Sequence, residues 1–284
     1  TLVLEFGRLS DVTGDKRYAA LATRAENYLM YPNPSGEPYP GLLGSFLSVE
    51  TGEILDAKGS WGAFADSYYE YLIKAYMYNS ELYDAYLDRW LIAADSTMRS
   101  IGSHPYGHPE WTLLASWDGS SLQQRMESLS WFAGGNFILG GMITDNDTLI
   151  DYGLSIADAA GAVYNMTATG LGGEFVTWIT SCEKSDGICE SSIQIVDGRF
   201  RLRPEVLETW YYAYRATRNV KYRDWSWASF EAMNRYCRTD SGFSAINDVN
   251  SIDGGGKSNM QESFVIAEVL KYTYLTHLEV DLIS

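Results

Sequence analysis

The acids Glu205 and Glu208, in RPEVLETWYYAYR, stand three residues apart at the start of a helical pattern and so share one face. Trp210, Tyr211, Tyr212 and Tyr214 follow them on the same segment. Asp66 and Glu70 repeat the arrangement four residues apart in ADSYYEY, and Glu5 in LEF and Glu268 in SFVIAE sit early on similar stretches. Glu174 closes TGLGGE, just ahead of an expected strand. Carboxylates accept hydrogen bonds from hydroxyls, and aromatic rings stack on the apolar face of a pyranose. Two carboxyl groups can also cleave a glycosidic bond, one protonating the leaving oxygen while the other activates water or attacks directly. A plainer reading competes with this one. Proline in the first turn and acids beside the positive end of the helix dipole start any helix well.

The elements that must carry these acids are helices in sequential pairs. LVLEFGRLSDV and KRYAALATRAENYLM form one pair, broken at Thr13-Gly14-Asp15; FADSYYEYLIKAYMY and SELYDAYLDRWLIAADSTMRSI form the next. SLSWFAGGNFILGGMI pairs with TLIDYGLSIADAAGAVYN, PEVLETWYYAYRAT with KYRDWSWASFEAMNRYCR, and NMQESFVIAEVLKYTYLTHL stands last. Phe64, Tyr68, Tyr71, Leu72 and Ala75 follow the spacing of one buried helix face. Strand or turn character appears in GLLGSFLSVETGEIL, WTLLASWDGSS, SSIQIVDGRFRL and GFSAINDV, with a hairpin turn at Val49–Glu53. Repeated helical hairpins joined by such loops predict a mainly α toroid, and residues 1–284 show no linker that would divide one domain.

Composition narrows the chemistry. The 284 residues carry 21 basic and 37 acidic side chains, a net charge of −16, with no basic cluster of the kind a nucleic-acid backbone requires. No apolar run reaches membrane-spanning length. His104 and His108 are four apart, but each precedes a proline in SHPYGHPE, which disfavours the helix a metal pair would need. SIDGGGKS lacks the first glycine of a phosphate loop, and DVNSIDG falls out of register for a calcium loop, so both read as turns. Cys182 and Cys189 flank a short loop and could form a disulfide, leaving Cys237 over. Asn146 and Asn165 begin glycosylation triplets, which fits a secretory setting.

The ordered set LVLEFGRLSDVTGD, YPGLL, GAFADSYYEYLIKAY, WFAGGNFILGG, TGLGGE, LRPEVLETWYYAYR and ESFVIAEVLKY resembles the class I α-1,2-mannosidases, glycoside hydrolase family 47. The resemblance implies an (α/α)7 barrel whose C-terminal part these residues make up, with the first hairpins missing. It implies calcium-dependent, inverting removal of terminal α-1,2-linked mannose from high-mannose N-glycans. Carried over by position, Glu205 and Asp66 are the catalytic candidates, while Glu5, Glu174, Arg203, Glu208, Phe264 and Glu268 bind the sugar. Calcium (Ca2+) is expected to reach Glu205, Glu208 and Glu268 through water only. The threonine that would bind it directly belongs to a segment after the last helix. The general acid of the family lies in hairpins ahead of Glu5, so residues 1–284 alone are expected not to hydrolyse substrate, with the rest of the domain a separate fragment partner and the chain otherwise a monomer.

Departures from the family pattern are equally specific. Ser128 stands where histidine is usual, Trp131 and the region of Ala160 lack the usual disulfide cysteines, and Gly173 replaces a proline before Glu174. Phe64 is apolar where the endoplasmic-reticulum enzymes carry arginine, which favours the Golgi or secreted fungal type. The competing expectation is a catalytically impaired relative that binds mannose or N-glycans in glycoprotein quality control.

Overall fold

The computed structural model describes residues 2–182 and 191–279. The chain forms two compact units, residues 1–102 with 114–123, and residues 103–113 with 124–284.

The first unit holds α1 (Val3–Thr13), α2 (Arg17–Met30), α3 (Asp66–Tyr78) and α4 (Asp84–Ser96). The expected break between α1 and α2 occurs at Gly14, whose φ of 73° is left-handed and whose N–H donates to Ser10 O. Glycine adopts that conformation without steric penalty, so it ends a helix cleanly. The buried face of α3 is Tyr68, Tyr69, Leu72, Ile73 and Ala75, which corrects the expected set at two places. Phe64 lies before the helix with φ 77° and is 76% exposed. Tyr71 is only half-buried. The helix starts two residues later than the periodicity suggested, and Tyr69 instead points inward to stack on Trp61 at 4.4 Å.

Within the stretch 41–55, Leu47 and Ile54 pair across the anticipated Val49–Glu53 turn, where Gly52 has φ 76°, and Leu42 pairs back with Tyr39. A three-stranded sheet joins Lys58–Gly59, Ser116–Asp118 and Ser121–Gln123.

The second unit holds α5 (Phe132–Thr144), α6 (Asp147–Asn165), α7 (Glu205–Thr217), α8 (Val220–Tyr236) and α9 (Lys271–His277), the last entered through a π-helical turn at Val265–Leu270. Helix α5 is buried along Phe132–Gly141 and packs on both α6 and α7. Its glycines permit that approach: a Cβ on Gly135 would lie 2.7 Å from the Tyr212 ring. The Gly135 N–H donates to Thr209 Oγ1 at 2.9 Å, and Thr209 Oγ1 donates to the Trp131 carbonyl at 2.6 Å. Trp131, in the place of a cysteine, is thus fully enclosed core.

The final helix is shorter than its pattern. Asn259 is left-handed (φ 57°) and its N–H donates to Ser244 Oγ, while Met260 O accepts from Ala245 N, so this segment is held against GFSAIND instead of coiling. A second antiparallel sheet joins Arg125–Glu127, Phe175–Trp178 and Ile193–Asp197. Gly254, Gly255 and Gly256 all have positive φ, confirming SIDGGGKS as a turn. His104 and His108 lie in a non-helical loop, with His108 stacked on Trp111 at 3.9 Å. Cys182 is disulfide-bonded; Cys189, its expected partner, lies outside the described residues, and Cys237 is free and buried. Among the described residues no helix is long and apolar enough to cross a membrane.

Candidate active site

In the second unit α7 begins at Glu205, directly after Pro204. The Glu208 N–H donates to Pro204 O at 2.9 Å, closing the first turn and holding Glu205 and Glu208 on one face. Immediately upstream Leu202 has φ 60°, a left-handed conformation rare for a branched side chain. Leu202 is itself buried, while Arg201 and Arg203 on either side of it are half-buried.

Arg203 Nε donates to both carboxylate oxygens of Glu174, at 3.1 and 2.9 Å. Arg201 Nε adds a longer ion pair at 3.9 Å. Glu174 is 6% exposed, and its backbone is fixed on both sides: its N–H donates to Asp197 O at 2.9 Å, and its carbonyl accepts from Ser128 N at 2.8 Å. Ser128 therefore contributes its backbone to the seat of Glu174. Gly173 is required there, because a Cβ would lie 2.5 Å from Asp197 O and 2.6 Å from Ile195 Cγ2.

Glu205 keeps part of its surface open, yet its Oε2 is sealed from solvent and has no hydrogen-bond partner. Burial pushes its carboxyl well above the ordinary carboxylate range; its own backbone N–H and Arg203 pull it down, and the charges of Glu208 and Glu268 push it further up. Glu208 is 7% exposed and accepts a hydrogen bond from Tyr272 Oη at 2.9 Å. Glu268 lies in the π-helical turn and Phe264 one turn ahead of it, both half-buried. Glu174, Arg203, Glu205, Glu208 and Glu268 thus share one electrostatic neighbourhood within this unit.

The first unit carries Glu5, Asp66 and Glu70. Glu5, on α1, is exposed and accepts from Tyr71 Oη at 2.6 Å. Asp66 is the first residue of α3, half-buried, with Oδ1 accepting from Ser67 N at 2.8 Å. Glu70 makes an ion pair with Lys74, so its charge is neutralised locally.

Sequence reasoning did not single out the tyrosines that surround these acids. Tyr272 stands four residues after Glu268 on the same helical run, and that spacing was the available signal. Tyr164 is buried beside the charges of Glu205 and Glu174, which with burial raise its hydroxyl above the ordinary range. No local pattern marks it. Asn146 and Asn165 are both exposed, at the two ends of α6.

Among the described residues no three His, Cys, Asp or Glu side chains are grouped to hold a metal directly. The unpartnered Glu205 oxygen beside Glu208 and Glu268 nonetheless fits a hydrated divalent cation, because carboxylates of one sign crowded in a poorly solvated place are relieved by positive charge.

The sequence profile of the family described as Glycosyl hydrolase family 47 matches residues 1–284. The probable mannosyl-oligosaccharide alpha-1,2-mannosidase 1B of Aspergillus fumigatus is 45% identical over 281 residues, 98% of this chain and 57% of that protein. The mannosyl-oligosaccharide alpha-1,2-mannosidase of Penicillium citrinum is 46% identical over 283 residues, 98% of this chain and 55% of that protein. The structure of the alpha-1,2-mannosidase from Trichoderma reesei matches with a TM-score of 0.92 at 42% identity, covering 98% of this chain and 59% of that one. This chain therefore spans somewhat more than half the length of the relatives it matches. The match also gives the fold class expected from the sequence, the (α/α)7 barrel, mainly α with short β-hairpins in the loops. The chain belongs to glycosyl hydrolase family 47.

Proposed function

We propose that this chain is the C-terminal part of the catalytic domain of an inverting α-1,2-mannosidase that trims terminal α-1,2-linked mannose from high-mannose N-glycans. The observation carrying the proposal is Glu205 Oε2, shielded and unpartnered between Arg203 and two further acids, in a member of this family. A carboxylate that holds protons tightly is a competent base for water, and we assign Glu205 that role, with Asp66 the other acid–base candidate. Arg203 holds Glu174 in a fixed orientation for sugar hydroxyls, and Glu5 and Glu208 offer further acceptors. Phe264 supplies the apolar surface under the ring. Calcium bound through water to Glu205, Glu208 and Glu268 would supply oxygen-directed coordination of sugar hydroxyls.

The proposed partner is the remainder of the domain, carrying the general acid, as a separate fragment. The secretory pathway lumen or the exterior is the proposed location, with glycans on Asn146 and Asn165.

Mannose release from a high-mannose glycan by the completed domain, with and without a chelator, tests the reading. Glu205→Gln should lower kcat far more than it changes KM, since a base acts mainly at the transition state. Glycan binding without release in the unmodified domain would support the second reading, a mannose-binding relative. The ground for that alternative is Ser128, which stands in the usual place of a histidine.

A further inference from the structure

Glu174 and Glu205 stand on different elements of the second unit, one closing a loop and the other opening α7. Tyr164 touches both elements. It lies in the last turn of α6 and is buried. Its ring meets that of Trp210 in a T-shaped contact, with centroids 5.3 Å apart. Trp210 is on the same helix as Glu205, and its Nε1 donates back to Ala157 O of α6 at 3.1 Å.

The same tyrosine ring is packed by Gly172, where a Cβ would lie 2.3 Å from Tyr164 Cε2 and 2.8 Å from Cδ2. Only a glycine lets backbone approach a ring that closely. Gly173 is seated in turn against the strand Ile193–Asp197. Two adjacent glycines thus rest on different walls, and Glu174 follows them directly. The start of this loop is fastened as well: Thr169 N donates to Val249 O at 3.1 Å, and Gly170 N to Thr167 Oγ1 at 3.0 Å. The charges of Glu205 and Glu174 both act on the Tyr164 hydroxyl, which independently sets that hydroxyl near the two carboxylates.

We propose that Tyr164 is a positioning residue for the sugar site, its ring setting how Glu174 stands relative to Glu205 through its contacts with Gly172 and Trp210. This rests on the role proposed above for Glu174 in accepting sugar hydroxyls. Tyr164 is enclosed, so it acts through Glu174. A displacement of about 1 Å in such a site can cost about 10²-fold in rate, because polar contacts to a ligand are effective only in a narrow range of geometry. A core tyrosine that merely fills space would instead lower stability and leave the site of the folded molecules unaltered.

The test is the Kd of a high-mannose glycan for the completed domain, carried in the Glu205→Gln form so that the glycan is not consumed. Tyr164→Leu should raise that Kd about tenfold or more, and Tyr164→Phe, which keeps the ring, by less than about threefold. Adding Tyr164→Leu to Glu174→Gln should change the Kd by less than about twofold, since the carboxylate it positions is no longer there. A Kd unmoved by Tyr164→Leu overturns the proposal whatever the melting temperature does, as does the same factor in both backgrounds. Should Tyr164→Leu not fold, Gly172→Ala meets the ring from the loop side and should raise the Kd likewise; an unchanged Kd there overturns the proposal too. A domain that binds no glycan overturns both this inference and the function it rests on. Binding without mannose release by the unmodified domain refutes the hydrolase alone, and the Kd ratios still decide the role of Tyr164.

Discussion

Tyr272 of α9 donates its hydroxyl to Glu208 of α7 at 2.9 Å, joining two helices through a buried acid. Tyr272→Phe removes the donor and leaves the ring. Loss of a hydrogen bond to a charged acceptor should cost about 1.5–3 kcal/mol, read as a lower urea midpoint with unchanged m-value. An unchanged midpoint would mean that Glu208 is held by other groups.

Arg203 and Glu174 form a two-contact pair with little solvent around it, the side chains being 17% and 8% exposed. Removing one member strands the other, so Arg203→Met should destabilise by about 3 kcal/mol, with Arg201 limiting the loss. Adding Glu174→Gln should recover part of it. Additive losses in the double variant would show that the two side chains do not interact.

Glu205 has a folded-state carboxyl raised above its ordinary value of 4.5. Above that value the native state holds a proton that the unfolded chain has released, so stability is greatest below it and falls as pH rises toward the folded value. Glu205→Gln imitates the neutral acid and should flatten this decline, making the variant the more stable form in the alkaline half of the range when no divalent cation is added. Parallel pH profiles for the two proteins would refute the assignment of Glu205 as the group responsible.

Gly173 leaves no room for a side chain against the strand Ile193–Asp197. Gly173→Pro, which restores the residue usual in the family, should lower the melting temperature and loosen Glu174, because its ring carbons meet backbone at Asp197. A melting temperature equal to or above that of the parent would contradict this.

Asn146 caps α6, its Oδ1 accepting from Thr148 N at 3.0 Å and Leu149 N at 3.4 Å. Asn146→Ala should cost about 1 kcal/mol even in unglycosylated protein. Thr148→Ala abolishes the glycosylation triplet but keeps the cap, so in the same preparation it should be nearly neutral. Equal losses would show that the cap contributes nothing.

Much of this could be read in the residues themselves. Helical periodicity located the α-helices of the described residues, the turn glycines located Gly14 and Gly52, and the ordered motifs identified the family. These are local properties: a period of 3.6 residues, a left-handed φ, a run of residue types. Glu205 and Glu208 were paired by the same logic, since one helical turn fixes their common face.

What required the tertiary structure was every relationship between elements distant in sequence. The meeting of Glu174 with Arg203, and of Tyr272 with Glu208, depends on how α7, α9 and the strand after Glu174 pack together, and no period within one segment encodes that. Phe64 shows the converse limit, since its place in the apolar pattern gave no sign that the helix begins two residues later and leaves it in solvent. The raised carboxyl of Glu205 likewise comes from desolvation by surrounding elements, a quantity that exists only once the chain has folded.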